Sequence, residues 1–304
     1  MAEPRIAVIG GGLMGVGIAQ VFASAGHEVA VHEPFDQVRA TVAERLRADL
    51  ELAGGDPAAA ARVTVTADIA EAVASAAFVT EAAPERIEIK RAIFAGLIAH
   101  APRNAILASN SSVMPIGSIA AGLDTADRIV GTHWWNPAPL IPLVEVIQGS
   151  HTSDETVTIT MALLESIGKA PAHVRKDVPG FVANRLQHAL WREAIAMVAD
   201  GVCDARTLDH CVKNSFGMRL PVLGPLENAD LVGLDLTLDI HRTIIPELDR
   251  SAGPHPHLAA LVAAGRLGFK SGEGFRPWTD AEKAELRADL AAHLVKAQRE
   301  RAAK

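Results

Sequence analysis

The sequence predicts an α/β fold in which a doubly wound, mainly parallel sheet precedes an all-helical domain. Short runs rich in β-branched residues alternate with helical patterns in the first half of the chain, and such alternation builds a parallel sheet with helices on its faces. From Phe181 onward the pattern changes to long helices, over 181–198, 205–212 and 231–244, and no strand pattern returns. A chain of 304 residues, 49% of them hydrophobic, can fill more than one core. We therefore expect two domains, residues 1–178 and 179–304.

A glycine-rich turn follows the first strand, Arg5–Ile9, and leads into an apolar helix that stops at Gly26. Its glycines let the backbone approach a pyrophosphate at the helix N-terminus, where free N–H groups favour anions. The second strand ends in Glu33, whose carboxylate we expect to bind ribose hydroxyls and to repel a 2′-phosphate. This Rossmann-type pattern predicts NAD rather than NADP; a glycine-rich turn without a ligand is the alternative. The predicted cofactor-binding residues are Gly10, Gly12, Leu13, Met14, Gly15 and Glu33.

Polar residues gather where the predicted strands end. Helical patterns at 36–62, interrupted at 53–57, and at 85–99 alternate with strand patterns at 63–65, 77–80 and 105–108. The strand ends carry Glu33, Glu81, Ser109–Ser112 and His133. In an open α/β sheet, ligands bind outside the carboxyl ends of the strands, so we expect the site at this edge. The serine cluster could equally cap the helix that follows it.

The run from Gly131 to Val146, GTHWWNPAPLIPLVEV, places a histidine close to a carboxylate. His133 closes one short apolar strand, and Glu145 is the single charge in the middle of the next, Leu143–Ile147. A carboxylate in an apolar strand is costly unless a partner pairs with it, and His133 is the nearest candidate. Such a pairing fixes the tautomer of the imidazole, as a general base requires. The alternative is that Glu145 lies on the solvated face of an edge strand and that His133 is one ordinary histidine among twelve.

The composition argues against several classes of protein. A net charge of -7 disfavours a general nucleic-acid or anionic-membrane surface. The two cysteines, Cys203 and Cys211, form no CxxC motif, so we expect a reducing cytoplasm and no metal site. The uncharged stretch Ile6–Gly26 resembles a signal peptide, but the glycines between Gly10 and Gly17 suit neither a signal sequence nor a membrane helix. We therefore expect a soluble protein.

Five runs, in this order along the chain, resemble signatures of the 3-hydroxyacyl-CoA dehydrogenase family. They are SNSSVMPI, HWWNP with LVEV, KDVPGFVANR, GPLENADLVGLD and GRLGFKSGEGF, and the resemblance covers essentially the whole chain. It implies an NAD-dependent dehydrogenase acting on a CH–OH group, with an NAD-binding domain and a helical domain that forms a homodimer. The family also includes free-acid dehydrogenases and lambda-crystallin-like proteins, so a non-catalytic dinucleotide-binding protein is a further alternative.

The resemblance also implies roles for individual residues. His133 accepts the hydroxyl proton while hydride leaves the same carbon for NAD, and Glu145 orients and charge-stabilises that histidine. Three residues match positions that contact the substrate: Ser112, Asn136 and Asn184. Two residues match positions near the nicotinamide ribose: Glu85 and Lys90.

Two features depart from the family pattern. Trp134 and Trp135 stand where the family usually has paired phenylalanines, which should reshape the mouth of the pocket. CoA-dependent members carry a lysine-rich helix after the second strand, whereas this chain has no lysine before Lys90, and between Asp36 and Arg62 four arginines stand against five acids. Our first expectation is a CoA-linked 3-hydroxyacyl substrate, and hence fatty acid metabolism. The alternative is the same chemistry on a free hydroxy acid or an aromatic carboxylate.

Overall fold

The structure is a computed structural model that describes residues 4–302. Within these residues the strands are β1 (Ile6–Ile9), β2 (Val29–His32), β3 (Val63–Thr66), β4 (Phe78–Glu81), β5 (Ile106–Ser109), β6 (Ile129–Trp134), β7 (Leu143–Ile147) and β8 (Ala170–Val174). They form one sheet in the order β3-β2-β1-β4-β5-β6-β7-β8. All neighbouring strands pair in parallel except β6 and β7, which are antiparallel.

The chain divides into two compact units, and both contain helices. They are α1 (Leu13–Ser24), α2 (Asp36–Arg39), α3 (Val42–Ala53), α4 (Ile69–Val73), α5 (Ile87–His100), α6 (Ile116–Ala120), α7 (Asp154–Ser166), α8 (Ala183–Ala199), α9 (Ala205–Lys213), α10 (Pro225–Val232), α11 (Leu234–Ile244), α12 (Pro256–Ala263) and α13 (Asp280–Ala302). One unit runs to Asn184 and includes the segment from Ala291 onward, and the other comprises Arg185–Leu290. The predicted fold class is confirmed, while the domain boundary between residues 178 and 179 stays a prediction.

Hydrophobic side chains fill both faces of the sheet, which explains why its central strands are apolar throughout. The strands β1, β4 and β5 are buried along their whole length. Because successive side chains of a strand point to opposite faces, the neighbours Val8 and Ile9 belong to different core clusters. Phe22 of α1 packs in the cluster of Val8, and Phe94 of α5 packs in that of Ile9.

The turn between β1 and α1 has the geometry that requires glycine. Gly10 has φ +112°, a region that residues with a Cβ rarely adopt. A Cβ on Gly15 would lie 1.8 Å from the carbonyl oxygen of Gly10, so α1 can approach β1 this closely only with glycine at that position. The turn therefore brings the N-terminus of α1 to the carboxyl edge of the sheet, as the sequence predicts.

Glycines end or divide two of the predicted helical segments. The predicted interruption of the 36–62 segment at 53–57 is observed, because Gly54 ends α3 with φ +66° and a short 3₁₀ helix, Pro57–Arg62, follows. The same segment is also broken between α2 and α3, at Ala40 and Thr41, which the sequence does not predict. The predicted helix over 231–244 is broken at Gly233, with φ +102°, into α10 and α11. At Gly233 the local backbone preference of glycine outweighs the longer helical pattern.

The second unit, residues 185–290, is helical apart from isolated bridges that involve Gly268, Glu273 and Pro277. Its helices leave many large apolar side chains exposed. On α10 and α11 the side chains that are more than half exposed are Leu226, Leu231, Leu234, Leu236 and Leu238. Among the residues that the structure describes, no helix combines the length and apolarity needed to cross a membrane.

Candidate active site

The antiparallel pairing of β6 with β7 sets His133 directly opposite Glu145. Side chains of directly opposed residues lie on the same face, and here Nδ1 of His133 is 2.7 Å from Oε2 of Glu145. The two side chains are only 5% and 2% exposed. A carboxylate only accepts hydrogen bonds, so Nδ1 carries the proton and Nε2 keeps a free lone pair. The contact predicted between the two residues is observed.

The start of α8 holds the second oxygen of Glu145. Oε1 accepts hydrogen bonds from the backbone N–H groups of Val182 at 2.9 Å and Ala183 at 3.1 Å. Burial raises the pKa of the Glu145 carboxyl, but the hydrogen bonds from His133 and from the two N–H groups outweigh it, so the pKa lies below its ordinary value. Phe181, which precedes these donors, has φ +51°, a strained conformation for a bulky residue and one that is found mainly at functional sites.

Two aromatic rings flank the imidazole of His133. The ring centroid of Trp135 lies 5.2 Å away and that of the buried Phe181 lies 5.6 Å away. Trp134 is 3% exposed and packs in the core, with its ring 5.9 Å from that of Phe22. Of the two tryptophans in the HWWNP run, only Trp135 therefore adjoins the histidine.

The first turn of α1 has the properties of a phosphate site. Gly12 is the N-cap without a capping side chain, no acidic residue lies in the first turn, and a Cβ on Gly12 would meet nothing within 4 Å. The N–H groups of this turn are thus left for an anion. The carboxylate of Glu33 is fixed beside the turn, because it accepts from the N–H of Gly11 at 2.8 Å and from that of Phe35 at 3.0 Å. It keeps acceptor capacity for ribose hydroxyls, so these residues fit NAD.

Two of the three predicted substrate-binding residues lie together. Asn184 donates from Nδ2 to the carbonyl oxygen of Ser112 at 3.0 Å, and it follows directly on the residues that hold Glu145. Asn136 is exposed on the loop after β6, and within residues 4–302 no hydrogen bond joins it to the other two. The roles of all three in substrate binding stay predictions.

Glu85 and Lys90, which the resemblance places near the nicotinamide ribose, belong to a network of protein groups. Nζ of Lys90 lies 2.8 Å from Oε1 of Glu81 and 3.3 Å from Oε2 of Glu85. The side chains of Lys90 and Glu81 are fully buried, whereas that of Glu85 is 34% exposed. The contact of Glu85 and Lys90 with the cofactor stays a prediction.

Two charged residues of this region have no specific function in the sequence-based prediction. Glu81, which the sequence places at this edge of the sheet, ends the buried strand β4 as expected. Lys169 is 7% exposed and donates from Nζ to the carbonyl oxygens of Ala138 and, at 3.0 Å, Ile141, which fixes the loop between β6 and β7. Burial, with repulsion from Arg301, lowers the pKa of Lys169 to about 8. A lysine after a glycine turn gives no sequence signal of burial.

The carboxyl edge of the sheet thus combines a turn that can bind phosphate with an imidazole that can accept a proton. A base and a hydride acceptor are what the oxidation of a secondary alcohol needs. The class of protein is accordingly an NAD-dependent dehydrogenase that acts on a hydroxyl group, and the comparisons with known proteins bear this out. The model of the 3-hydroxyacyl-CoA dehydrogenase NAD-binding domain matches residues 5–178, and that of the C-terminal domain matches residues 180–278. The chain belongs to the 3-hydroxyacyl-CoA dehydrogenase family, as the motifs predict.

Relatives within the family are named for two kinds of substrate, a pyridine carboxylate and a CoA thioester. The chain is 36% identical to a 5-formyl-3-hydroxy-2-methylpyridine 4-carboxylate 5-dehydrogenase of Mesorhizobium japonicum, over 97% of each chain. It is 38% identical to a probable 3-hydroxybutyryl-CoA dehydrogenase of Deinococcus radiodurans, over 89% of this chain and 99% of the relative. A crystal structure of 5-formyl-3-hydroxy-2-methylpyridine 4-carboxylic acid 5-dehydrogenase, described as an NAD+-dependent dismutase, matches 98% of each chain with a TM-score of 0.91 and 34% identity.

Proposed function

We propose that the chain oxidises the hydroxyl-bearing carbon of a hydroxyacyl substrate, and reduces the corresponding ketone, with His133 as the general base. The observation that supports this role is the His133–Glu145 pair, which leaves Nε2 of a buried imidazole free to accept a proton. Glu145, which its bonds to Val182 and Ala183 keep ionised, stabilises the imidazolium that forms. NAD, when bound, supplies the acceptor for the hydride that leaves the same carbon. In the reverse direction the imidazolium returns the proton.

Ser112 and Asn184 hold the reacting oxygen in this proposal. The hydrogen bond from Asn184 to the carbonyl oxygen of Ser112 leaves the hydroxyl of Ser112 and the amide oxygen of Asn184 for other partners. A hydroxyl that donates to the substrate oxygen stabilises negative charge as it develops there during ketone reduction. Asn136, on the exposed loop after β6, contacts the substrate from the side of the loop.

The first candidate substrate is a 3-hydroxyacyl group carried on CoA. Its support is the match of both domains to the 3-hydroxyacyl-CoA dehydrogenase family and the relative named as a probable 3-hydroxybutyryl-CoA dehydrogenase. If the thioester is the substrate, the chain takes part in fatty acid metabolism.

A second candidate, a free hydroxy acid or aromatic carboxylate, is favoured by specific observations. Three of the four arginines that could grip CoA phosphates are hydrogen-bonded within the protein: Arg39 to Asp36, Arg45 to the carbonyl of Gly11, and Arg62 to the carbonyl of Ala23. The helix α13 begins at Asp280, beyond the match to the family model, and the carboxylate-named relative covers 97% of this chain against 89% for the CoA-named one. The indole of Trp135 beside His133 gives a flat apolar surface for an aromatic ring.

Turnover of paired substrates separates the two candidates. NADH loss is followed with acetoacetyl-CoA, with free acetoacetate and with an aromatic ketoacid, at equal concentrations and high enzyme excess. Turnover of the thioester alone supports the CoA-linked substrate, and turnover of a free acid without turnover of the thioester removes it. Trp135→Phe, which restores the residue usual in the family, should lower kcat/KM for an aromatic substrate and leave that for acetoacetate nearly unchanged. No turnover of any hydroxyacyl or ketoacid substrate would contradict the proposal as a whole.

We also propose a homodimer in the cytoplasm. The apolar side chains that α10 and α11 expose, among them Leu226, Leu231 and Leu234, form a surface that a second copy of the chain would cover. The free cysteines, Cys203 and Cys211, fit a reducing compartment. Sedimentation of the purified protein tests the dimer: Leu231→Glu should shift it to the monomer, and a monomeric unmodified protein would contradict it.

A further inference from the structure

The loop between β6 and β7, residues 135–142, has few donors for its own carbonyl groups. Three of its eight residues are prolines, which have no N–H. The N–H groups of Leu140 and Ile141 both donate to the carbonyl oxygen of Pro137, at 3.0 Å. Within residues 4–302, no backbone N–H donates to the carbonyl oxygens of Ala138 and Ile141. These two oxygens therefore depend on donors from a side chain.

The side chain of Lys169 supplies both donors. Nζ donates to the carbonyl oxygen of Ala138 and, at 3.0 Å, to that of Ile141. It also lies 5.3 Å from the ring centroid of Trp134, the last residue of β6. A buried ammonium is costly unless its N–H groups find acceptors, so these contacts are what keep Lys169 in the interior. One side chain thus contacts the chain on both sides of residues 135–137.

The backbone of Lys169 is itself fixed in the sheet unit. Gly168, with φ +77°, follows α7, and the N–H of Lys169 donates to the carbonyl oxygen of Leu164 at 3.0 Å. The next residue, Ala170, begins β8 and donates to the carbonyl oxygen of Pro142 at 2.8 Å. The groups that hold the loop therefore come from the end of a helix and the start of a strand, where the backbone has regular partners.

The segment between the contacts of Lys169 carries two residues of the candidate site. The ring of Trp135 lies 5.2 Å from the imidazole of His133. Asn136 lines a cavity of about 50 Å³ together with Leu13, which belongs to the first turn of α1. The helix α1 packs closely on the same loop, since a Cβ on Gly17 would lie 3.3 Å from two of its side chains. The loop therefore lies between the predicted phosphate site and the predicted general base.

The His133–Glu145 pair does not depend on this loop, because the pairing of β6 with β7 keeps the two residues opposite each other. Loss of Lys169 should therefore leave the proton acceptor in place and move only the residues of the loop. We propose that Lys169 is a positioning residue, which holds the loop between β6 and β7 so that Trp135 and Asn136 form one side of the substrate pocket. The inference rests on the proposed function, in which these two residues face the substrate.

The test compares Lys169→Met, which removes the donors, with Leu164→Ala, a matched control in the core beneath the same corner of the fold. For Lys169→Met we expect KM for the substrate to rise about tenfold while kcat stays within about threefold, because the substrate is held less well and the base is unchanged. Leu164→Ala lowers the stability through a cavity but keeps both bonds to the loop, so its KM should change less than about twofold. A fall in kcat with unchanged KM in Lys169→Met, or an equal rise of KM in the two variants, would overturn the proposal.

A second background shows whether Lys169 acts through the two loop residues. In a Trp135→Ala/Asn136→Ala protein, both groups that Lys169 positions are already lost. Adding Lys169→Met to this protein should therefore change KM less than about twofold. A further tenfold rise of KM would overturn the proposal, since Lys169 would then act through other groups.

Amide hydrogen exchange separates this inference from the proposed function. In Lys169→Met the amides of Leu140 and Ile141 should exchange faster than in Leu164→Ala, whereas those of Val144 and Val146 in β7 should exchange alike in the two variants. Exchange at Leu140 and Ile141 that does not respond to Lys169→Met would overturn the positioning role by itself. An inactive unmodified protein whose loop amides are released by the same substitution would contradict the proposed function and leave the hold on the loop established. If Lys169→Met does not fold, Lys169→Gln serves in all three experiments with the same expected results, because its shorter amide cannot reach both carbonyl oxygens.

Discussion

The His133–Glu145 pair and the Lys90–Glu81 pair are both buried at the carboxyl edge of the sheet. Of the two, only the first leaves a nitrogen without a hydrogen-bond partner among the residues that the structure describes. In the Lys90 pair, three N–H groups face acceptors of the protein, and both side chains are fully buried. In the His133 pair, Nδ1 is bound and Nε2 keeps its lone pair. Two buried pairs of similar length thus have different capacities: the first can exchange a proton with a substrate, and the second can only stabilise the structure.

The largest effect should come from the pair with the free nitrogen. His133→Gln keeps a side chain of similar polarity but removes the proton acceptor, so kcat should fall by about 10²–10⁴-fold while NADH affinity stays nearly unchanged. Steady-state rates with whichever substrate the turnover experiment selects, together with NADH fluorescence titration, measure both quantities. His173→Gln, at a side chain that lies 2.9 Å from the amide of Gln148, is the matched control and should leave kcat within about twofold. An unaltered kcat in His133→Gln would remove this residue from the mechanism.

Loss of the Lys90–Glu81 pair should lower the stability of the fold. Lys90→Met leaves the buried carboxylate of Glu81 without its cation, and breaking a buried pair in this way costs about 3–5 kcal/mol of the free energy of unfolding. Urea unfolding measures it. The control is Lys296→Met, because Lys296 is 74% exposed and 3.9 Å from Glu300, and a surface pair contributes about 0–1 kcal/mol. Equal losses in the two variants would mean that the Lys90 pair is not buried as the structure has it.

The difference between the pairs also marks what a sequence can predict. The sheet, the glycine turn and the contact between His133 and Glu145 were predictable, because each depends on a short run of residues and on the two-residue period of strands. The bonds that hold Glu145 and Glu85 were not. Val182 is 37 residues from Glu145, and Ser112 is 27 residues from Glu85, so the donors come from loops whose meeting no local pattern encodes.

The tryptophans show the same limit within one motif. Trp134 and Trp135 are adjacent, and the sequence indicates only that they replace a pair of smaller rings. The structure separates them because adjacent residues of an extended strand point to opposite sides: Trp134 enters the core beside Phe22, and Trp135 lies against His133. The motif alone does not show which tryptophan lies on the same side of the strand as His133, because that depends on how the strand is placed in the sheet.

A third buried carboxylate, Glu33, is intermediate in how much of its hydrogen-bonding capacity the protein uses. Its oxygens each accept one bond from a backbone N–H, of Gly11 and of Phe35, so part of its acceptor capacity is free for a ligand. Glu33→Gln should raise the ratio of kcat/KM with NADP to that with NAD by roughly tenfold, since one charge that repels a 2′-phosphate is removed. Rates with the two cofactors at equal concentration give the ratio. If the ratio does not move, the assignment of Glu33 to the ribose is wrong.

The smallest effect should come from a change in the protonation of Lys169, which is buried and donates to two carbonyl oxygens but, within residues 4–302, pairs with no carboxylate. Burial lowers its pKa from 10.5 to about 8 in the folded protein. Between about pH 8 and pH 10.5 the unfolded chain therefore binds more protons at this group, and the stability it contributes rises with pH across that window. We expect the free energy of unfolding, relative to that of Lys169→Met, to rise by about 1 kcal/mol from pH 8 to pH 9 and to be constant below pH 7. Because a neutral amine still donates to the two carbonyls, the loop between β6 and β7 should stay in place while this happens, and kcat should not follow the change in stability. A difference that is flat over the whole window would show that Lys169 keeps its ordinary pKa and is solvated in the folded protein.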